Sequence, residues 1–537
     1  MISGNIVDVL NSKIYSGTFV IENGRIVEVI RDNKKYDNYI IPGFIDSHVH
    51  IESSMLIPSE FARLALVHGT VATVSDPHEI ANVMGISGVD YMLENARSVP
   101  LKFYFSVPSC VPFEKGGGII TIEDVERLMG LDRVKCLGEV MNYVGVLNDD
   151  KDILQKIDIA KKYYKAVDGH APELSGDGLV KYVNAGITTD HECICEKEAL
   201  EKIALGMMIQ IREGSAAKNF DALAPIIDKH YKNCMFASDD KHPDDLLKGH
   251  INELVKRCVK KGIDVMKALR MASVNPIMHY NLDVGMLQPG DYADFLEVDN
   301  LTELNVLKTY INGKVVAEKG RALISRKQAP VVNNFNALKK LPNDFSIKGE
   351  GCKIKVIEAV DGQLITNKLI LSPKVDEKGN MVSDIERDIL KIVVVDRYKE
   401  AKPAVGFIKN FGFKHGAIAS SVTHDSHNII AVGVSDEEIC RAVNMIIEQK
   451  GGISIISNEG DMILPLSVAG IISAEDSHIV IEKYAKIDKM VKKLKTNIHA
   501  PFMTLSFMAL VVIPRLKISV NGLFDGEKFE YTSLFVK

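Results

Sequence analysis

Between residues 43 and 240 one pattern recurs eight times: a short apolar run, a polar tip, then an amphipathic stretch. The runs are GFIDSHVH (43–50), TVATVSDPHE (70–79), LKFYFSVPS (101–109) and VKCLGEVMN (134–142), followed by YKAVDGHAP (164–172), ITTDHE (187–192), MMIQIREGS (207–215) and CMFASDD (234–240). Between them lie segments of helical periodicity such as SEFARLALVHG, GVDYMLENARSV and DILQKIDIAKKYY. Apolar strands joined by amphipathic helices call for a parallel sheet covered on its outer face. Eight such units in about 200 residues are what a (β/α)8 TIM-type barrel requires. An open doubly wound sheet would need a glycine-rich phosphate-binding turn or a switch-point site, and neither is evident.

The flanks have a different period. Residues 1–42 alternate apolar and polar, with Asn23-Gly24 between two runs as a hairpin signal. A matching piece with Asn312-Gly313 follows at 285–330. Neither can bury a face alone, so the two are expected to join as a small composite β-sandwich around the barrel of residues 43–284. Residues 331–537 read as an additional C-terminal α+β domain, with strand-like KIVVVDRY and NIIAVGV and helix-like DEEICRAVNMIIEQ.

The chemistry-bearing residues sit at the polar tips. His48 and His50 end the first run, two apart, so on a strand they project side by side. By itself an HxH pair is equally at home in a polar surface loop. Yet Asp76, His78 and Glu79 end the second run, Glu139 the fourth, His170 the fifth, His191 the sixth, Arg212 the seventh and Asp239 the eighth. Such residues are much sparser at the opposite strand ends, and barrel enzymes place their chemistry at the C-terminal ends. His48, His50, Glu139, His170, His191 and Asp239 offer six nitrogen and oxygen ligands for one or two divalent metals, with Glu139 able to bridge. This set suits Mn, Fe or Zn. A metal pair lowers the pKa of a shared water, and Asp239 can carry the proton to a leaving group. Strand alternation lets only one of Asp239 and Asp240 face the site, and Asp239 is expected to be that one. The segment FGFKHGAIASSVTHDSHN, with His415, His424, Asp425 and His427, reads as an interdomain loop able to close over the barrel mouth, or as a second metal site.

The net charge of −6 gives no basic footprint for nucleic acid, and no apolar run is long enough for a membrane span. The eight cysteines form no CxxC pair, and the N-terminus shows no secretory pattern, so a cytoplasmic protein is expected.

PGFIDSHVH, the strand-end histidines and the strand-eight aspartate resemble the amidohydrolase superfamily, whose members also split a small β-sandwich around the barrel. Within it, HIESSML, SDPHEIANVMG, GEVMNY, DGHAPELSG, TTDHE, IREGSAAKN and SDDKHPDDLLKGHINELV resemble the adenine deaminase family across nearly the whole chain. The resemblance implies hydrolysis of free adenine to hypoxanthine and ammonia, with a binuclear centre of Mn2+ or Fe2+ (Zn2+ being the other option). It also implies a homo-oligomer, expected as a dimer. Many amidohydrolases bridge their metals with a carboxylated lysine, and here Glu139 stands at that strand end, which argues against the alternative of a cyclic amide hydrolase. An inactive scaffold would lack ligands, and all six are present. Candidate substrate contacts are Glu79, Arg212, Ser215, Glu173, Asp76 and His78. Glu173 is placed three residues after His170, as the proton-donating glutamate is in related nucleoside deaminases. For Arg212 a barrel-mouth salt bridge is the competing reading, and for Asp76 and His78 support of the first-strand histidines.

Overall fold

A computed structural model describes residues 1–112, 116–349 and 353–536. Eight parallel strands make the barrel: β1 (Phe44–Val49), β2 (Thr70–Ser75), β3 (Lys102–Val107), β4 (Val134–Val140), β5 (Ala166–Gly169), β6 (Thr189–Asp190), β7 (Met208–Arg212) and β8 (Cys234–Ala237). β1 to β5 pair in parallel as one group and β6 to β8 as another. Two seams close the ring. Thr188 donates from its amide to the Val167 carbonyl at 2.9 Å, and across the β8–β1 seam the Asp239 amide reaches the His48 carbonyl at 2.9 Å. All six residues of β1 and of β2 are buried, as befits parallel strands covered on both faces. The (β/α)8 expectation holds.

The two outer pieces form one continuous eight-stranded sheet, because strand Phe295–Val298 pairs antiparallel with Tyr39–Pro42. Both Asn-Gly turns take the left-handed conformation that a two-residue hairpin demands, with Asn23 and Gly24 at φ 49° and 79° and Asn312 and Gly313 at 49° and 71°. This sheet wraps its own core of Ile6, Phe19, Ile40, Phe295 and Tyr310. The chain passes from it into β1 through Gly43, where a Cβ would lie 2.3 Å from Val71 Cγ2, so only glycine allows strand β2 so close.

The C-terminal domain is built on a nine-stranded mixed sheet. Its central strand, Ile389–Val395, is buried along its length and shows the two-residue period of a strand. Val393 and Val395 pack under helix Asp436–Gln449, while Ile392 and Val394 face the opposite way, into the core that continues to the barrel. On that side the loop 421–428 and helix Pro501–Phe507 lie over the C-terminal ends of the barrel strands. Among the described residues no helix is long and apolar enough to cross a membrane.

Candidate metal centre

Strand pleating brings the tips together. Asp46, His48 and His50 alternate along and just beyond β1. Asp46, one pleat below, takes a hydrogen bond from the Ser238 amide at 3.0 Å and pairs with His250 Nε2 at 2.7 Å, which ties β1 to β8 beneath the site. Above it, His48 Nε2 and His50 Nε2 stand 3.2 Å apart. His50 Nδ1 lies 3.2 Å from the Asp76 carbonyl, which can only accept. Nδ1 therefore carries the proton and the Nε2 lone pair is turned into the cluster, a common device for orienting a metal-binding histidine.

Glu139 is the hub. Its Oε1 lies 3.2 Å from His50 Nε2 and 3.9 Å from His48 Nε2, and its Oε2 lies 2.6 Å from His170 Nδ1 and 3.2 Å from His191 Nε2. One carboxylate thus faces both histidine pairs. Asp239 Oδ1 is 3.2 Å from His50 Nε2 and 3.7 Å from His48 Nε2, while its Oδ2 is held by Arg212. All six side chains are buried.

Burial alone would push the Glu139 carboxyl up, but the His170 imidazole and its neighbours hold it well below the usual carboxylate range. Asp239 is likewise raised by burial and brought well down by Arg212. Burial, then His191 and His50, lowers His48 to about 3, so it stays a neutral donor. A neutral imidazole beside two ionised carboxylates is a donor set made for cations; burial lowers His50 and His191, but Asp239 and Glu139 raise both above the usual imidazole value. Among the described residues, the buried ring nitrogens His170 Nε2 and His191 Nδ1 find no hydrogen-bond partner. These residues fit divalent metals, and no thiolate lines the cavity among the described residues.

The remaining candidates divide. Glu79 and His78 line the same cavity, His78 Nδ1 lying 3.6 Å from Glu139 Oε1. Asp76 does not line it: its Oδ2 accepts from the Glu139 amide at 3.0 Å and its Oδ1 lies 3.5 Å from His78, so it supports the hub. Arg212 lines the cavity but is engaged in a two-pronged pair with Glu192 at 2.6 and 2.8 Å and with Asp239, the salt bridge weighed against purine binding. Ser215 sits apart from the donor cluster. Its hydroxyl donates to Asp245 at 2.7 Å and accepts from the His242 amide, and it lines neither cavity described here. Glu173 has φ 61° at the turn after Pro172. It lines a neighbouring cavity of about 490 Å³ rather than the donor cluster.

Asp240 departs from strand alternation. β8 ends at Ala237, and Asp239 adopts φ 54°, so the pleat is broken and both aspartates turn inward. Asp240 accepts from Ser53 and lies 3.7 Å from His424 Nε2.

Five residues of the C-terminal domain complete the walls: Leu364, His424, Asp425, Phe507 and Leu510. His424 stacks on Phe507 with ring centres 4.7 Å apart. Burial pulls its pKa down, but Glu79 and Asp240 raise it to about 9. The 421–428 loop therefore does close over the barrel mouth. Glu192, which pattern reasoning passed over, follows His191 directly and could have been found by the same strand-end register. His424 and Asp425 had no such signal. The space among the donors is only about 20 Å³, room for a water molecule. The 490 Å³ cavity adjoins it through Glu192, Arg212 and Leu364, and its size is usual for a small-molecule pocket.

Comparison with known proteins agrees with this architecture. Residues 39–316 match the model of the amidohydrolase family, and residues 363–530 match that of the adenine deaminase C-terminal domain. Over the full length, the chain is 49% identical to the adenine deaminase of Methanosarcina barkeri, covering 99% of this chain and 98% of that protein. It is 48% identical to the adenine deaminase of Methanosarcina mazei, covering 99% of each. With the adenine deaminase of a Sulfurovum species it shares 50% identity, covering 98% of each.

Proposed function

The chain belongs to the adenine deaminase family of the amidohydrolases, and on that premise we propose that it hydrolyses adenine to hypoxanthine and ammonia. The observation that carries the reading is the single carboxylate of Glu139 set between two histidine pairs, with Asp239 closing the ring. His48, His50 and Asp239 would hold one divalent ion and His170 and His191 the other, with Glu139 shared. When bound, the ions supply Lewis-acid activation of water and neutralise charge that develops at the purine. Mn2+ or Fe2+ suits this all-nitrogen and oxygen set, with Zn2+ as the other option.

The chain's own residues do the rest. Asp239 presents Oδ1 to the cluster while Arg212 anchors Oδ2, so a proton from the attacking water can rest on Oδ1 and pass to the departing amine. Glu79 and His78 face the same space and can hydrogen-bond the purine edge. The 490 Å³ cavity is the approach route, and Leu364 and Phe507 exclude water at its inner end. A lysine bridge of the cyclic amide hydrolase type finds no support, since no lysine lines the donor cavity among the described residues.

Ammonia release from adenine and from adenosine, by protein loaded with Mn, Fe or Zn, tests this. Adenine is expected to outcompete adenosine by a wide margin, as a free-base deaminase requires. Comparable kcat/KM values for the two would overturn the assignment.

A further inference from the structure

Glu79 reaches the donor cavity from the first turn of helix His78–Met84, and imidazoles of the C-terminal domain contact both its oxygens: His424 Nδ1 at Oε1 and His427 Nε2 at Oε2. We propose that His427 is a positioning residue of the active site, fixing the Glu79 carboxylate toward the bound substrate from 348 residues away in the chain. The inference rests on reading this cavity as the place of turnover.

The local chemistry assigns the ring's protons. The Thr423 amide, which can only donate, points at His427 Nδ1 at 3.4 Å. Nδ1 therefore keeps its lone pair, Nε2 carries the hydrogen, and that hydrogen is aimed at Glu79 Oε2 as a neutral donor. The His427 side chain is fully buried, and the backbone that delivers it is braced from several directions. Its own amide donates to the Thr423 carbonyl at 2.6 Å, and its carbonyl accepts from Arg397 at 3.2 Å. Thr423 Oγ1 bonds the Asn428 carbonyl at 2.6 Å, and the Tyr398 hydroxyl bonds the Ser426 carbonyl at 3.0 Å. So much bracing of one loop is unnecessary for covering a cavity. It is what holding one donor within a few tenths of an ångström requires, and misplacement of a reacting-site group by about 1 Å can cost about 100-fold in rate. The C-terminal domain thus supplies part of the site's geometry, not only a cover.

Two isosteric replacements separate the ring nitrogens. Asparagine places a carbonyl oxygen near the Nδ1 position, keeping the Thr423 contact, but cannot reach Glu79. Glutamine places an amide N–H near the Nε2 position. In the full-length, metal-loaded protein, His427→Asn is expected to lower kcat by about 10- to 100-fold, with a smaller change in KM and with metal content and melting temperature retained. His427→Gln should recover activity to within about fivefold of the parent. In a Glu79→Ala background, His427→Asn should change kcat by less than about twofold, since a residue acting through another adds nothing once that partner is gone. Equal losses in the Asn and Gln variants, multiplicative losses with Glu79→Ala, or loss of metal in His427→Asn would each overturn the proposal. A readout independent of any substrate comes from nitrogen NMR of the labelled histidine rings. His427 is expected as the Nε2–H tautomer, with a signal that moves in Glu79→Gln, and an Nδ1–H tautomer or an unmoved signal rejects the positioning role. A parent protein inert toward adenine but with this NMR signature would count against the substrate alone.

Discussion

Replacing Asp239 by asparagine tests the site most directly, because its two oxygens have separate partners. Oδ1 faces His48 and His50 at 3.7 and 3.2 Å, and Oδ2 is held by Arg212. Asparagine keeps the volume but loses the charge and one acceptor. If the amide nitrogen turns to Arg212, two donors meet; if it turns to His50, the proton-accepting atom is lost. Arg212 retains its two-pronged pair with Glu192, so the guanidinium is not left bare, and the stability cost stays near about 1–3 kcal/mol. The catalytic cost is larger, about 10²- to 10⁴-fold in kcat, the scale of a lost general acid–base group. Metal content should fall less than in His48→Ala or His170→Ala, which each remove a nitrogen ligand outright. Asp240→Asn should lie between Asp239→Asn and the parent, about 10-fold down, since Asp240 also turns inward and pairs with Ser53 beside His424. Steady-state kinetics on adenine with elemental analysis of each variant supply the numbers. Turnover near that of the parent in Asp239→Asn would refute the shuttle.

Glu139→Gln should keep the fold yet bind at least one metal fewer per chain, because a neutral amide bridges two cations poorly; two metals at full occupancy by elemental analysis would sink the bridging role. Gly43→Ala should destabilise the barrel by about 1–3 kcal/mol, the usual cost of forced overpacking, because the new methyl meets Val71 at 2.3 Å; an unchanged denaturation midpoint would refute it. Lys517 is buried, and burial pulls its pKa down to about 7. Between that value and the ordinary lysine value the unfolded chain binds more protons, so stability rises with pH across the window and the gain is absent below it. From pH 7.5 to 9.5 the gain is about 2.5 kcal/mol at most, since each pKa unit is worth about 1.4 kcal/mol. Lys517→Met should remove that slope in urea denaturation at the two pH values, and identical slopes in parent and variant would reject it.

Pattern alone determined the barrel and most of its donors, because both are periodic. A strand buried on both faces must be a continuous apolar run, and side chains two apart on it must share a side, so His48 and His50 were bound to meet once β1 formed. Register then carried Glu139, His170 and His191 to the same end of the ring, since parallel strands of one barrel have their C-terminal tips at one mouth. The Asn-Gly turns at 23–24 and 312–313 were legible for a related reason: their geometry is set within two residues.

Periodicity stops being informative where regular backbone stops. Asp240 turns inward because Asp239 leaves the extended conformation after β8 has ended, and Ser215, in the loop after β7, gives its hydroxyl to Asp245. Alternation cannot be extended past either point. Only tertiary packing decided that Arg212 is tied to Glu192 and Asp239, since an arginine's long side chain reaches partners on several strands and composition does not choose among them. Least visible of all was the meeting of Glu79 with His424 and His427. Those residues have no mutual spacing in the chain, and their contact exists because one face of the C-terminal sheet, with Ile392 and Val394, buries itself against the barrel and carries the 421–428 loop over the mouth.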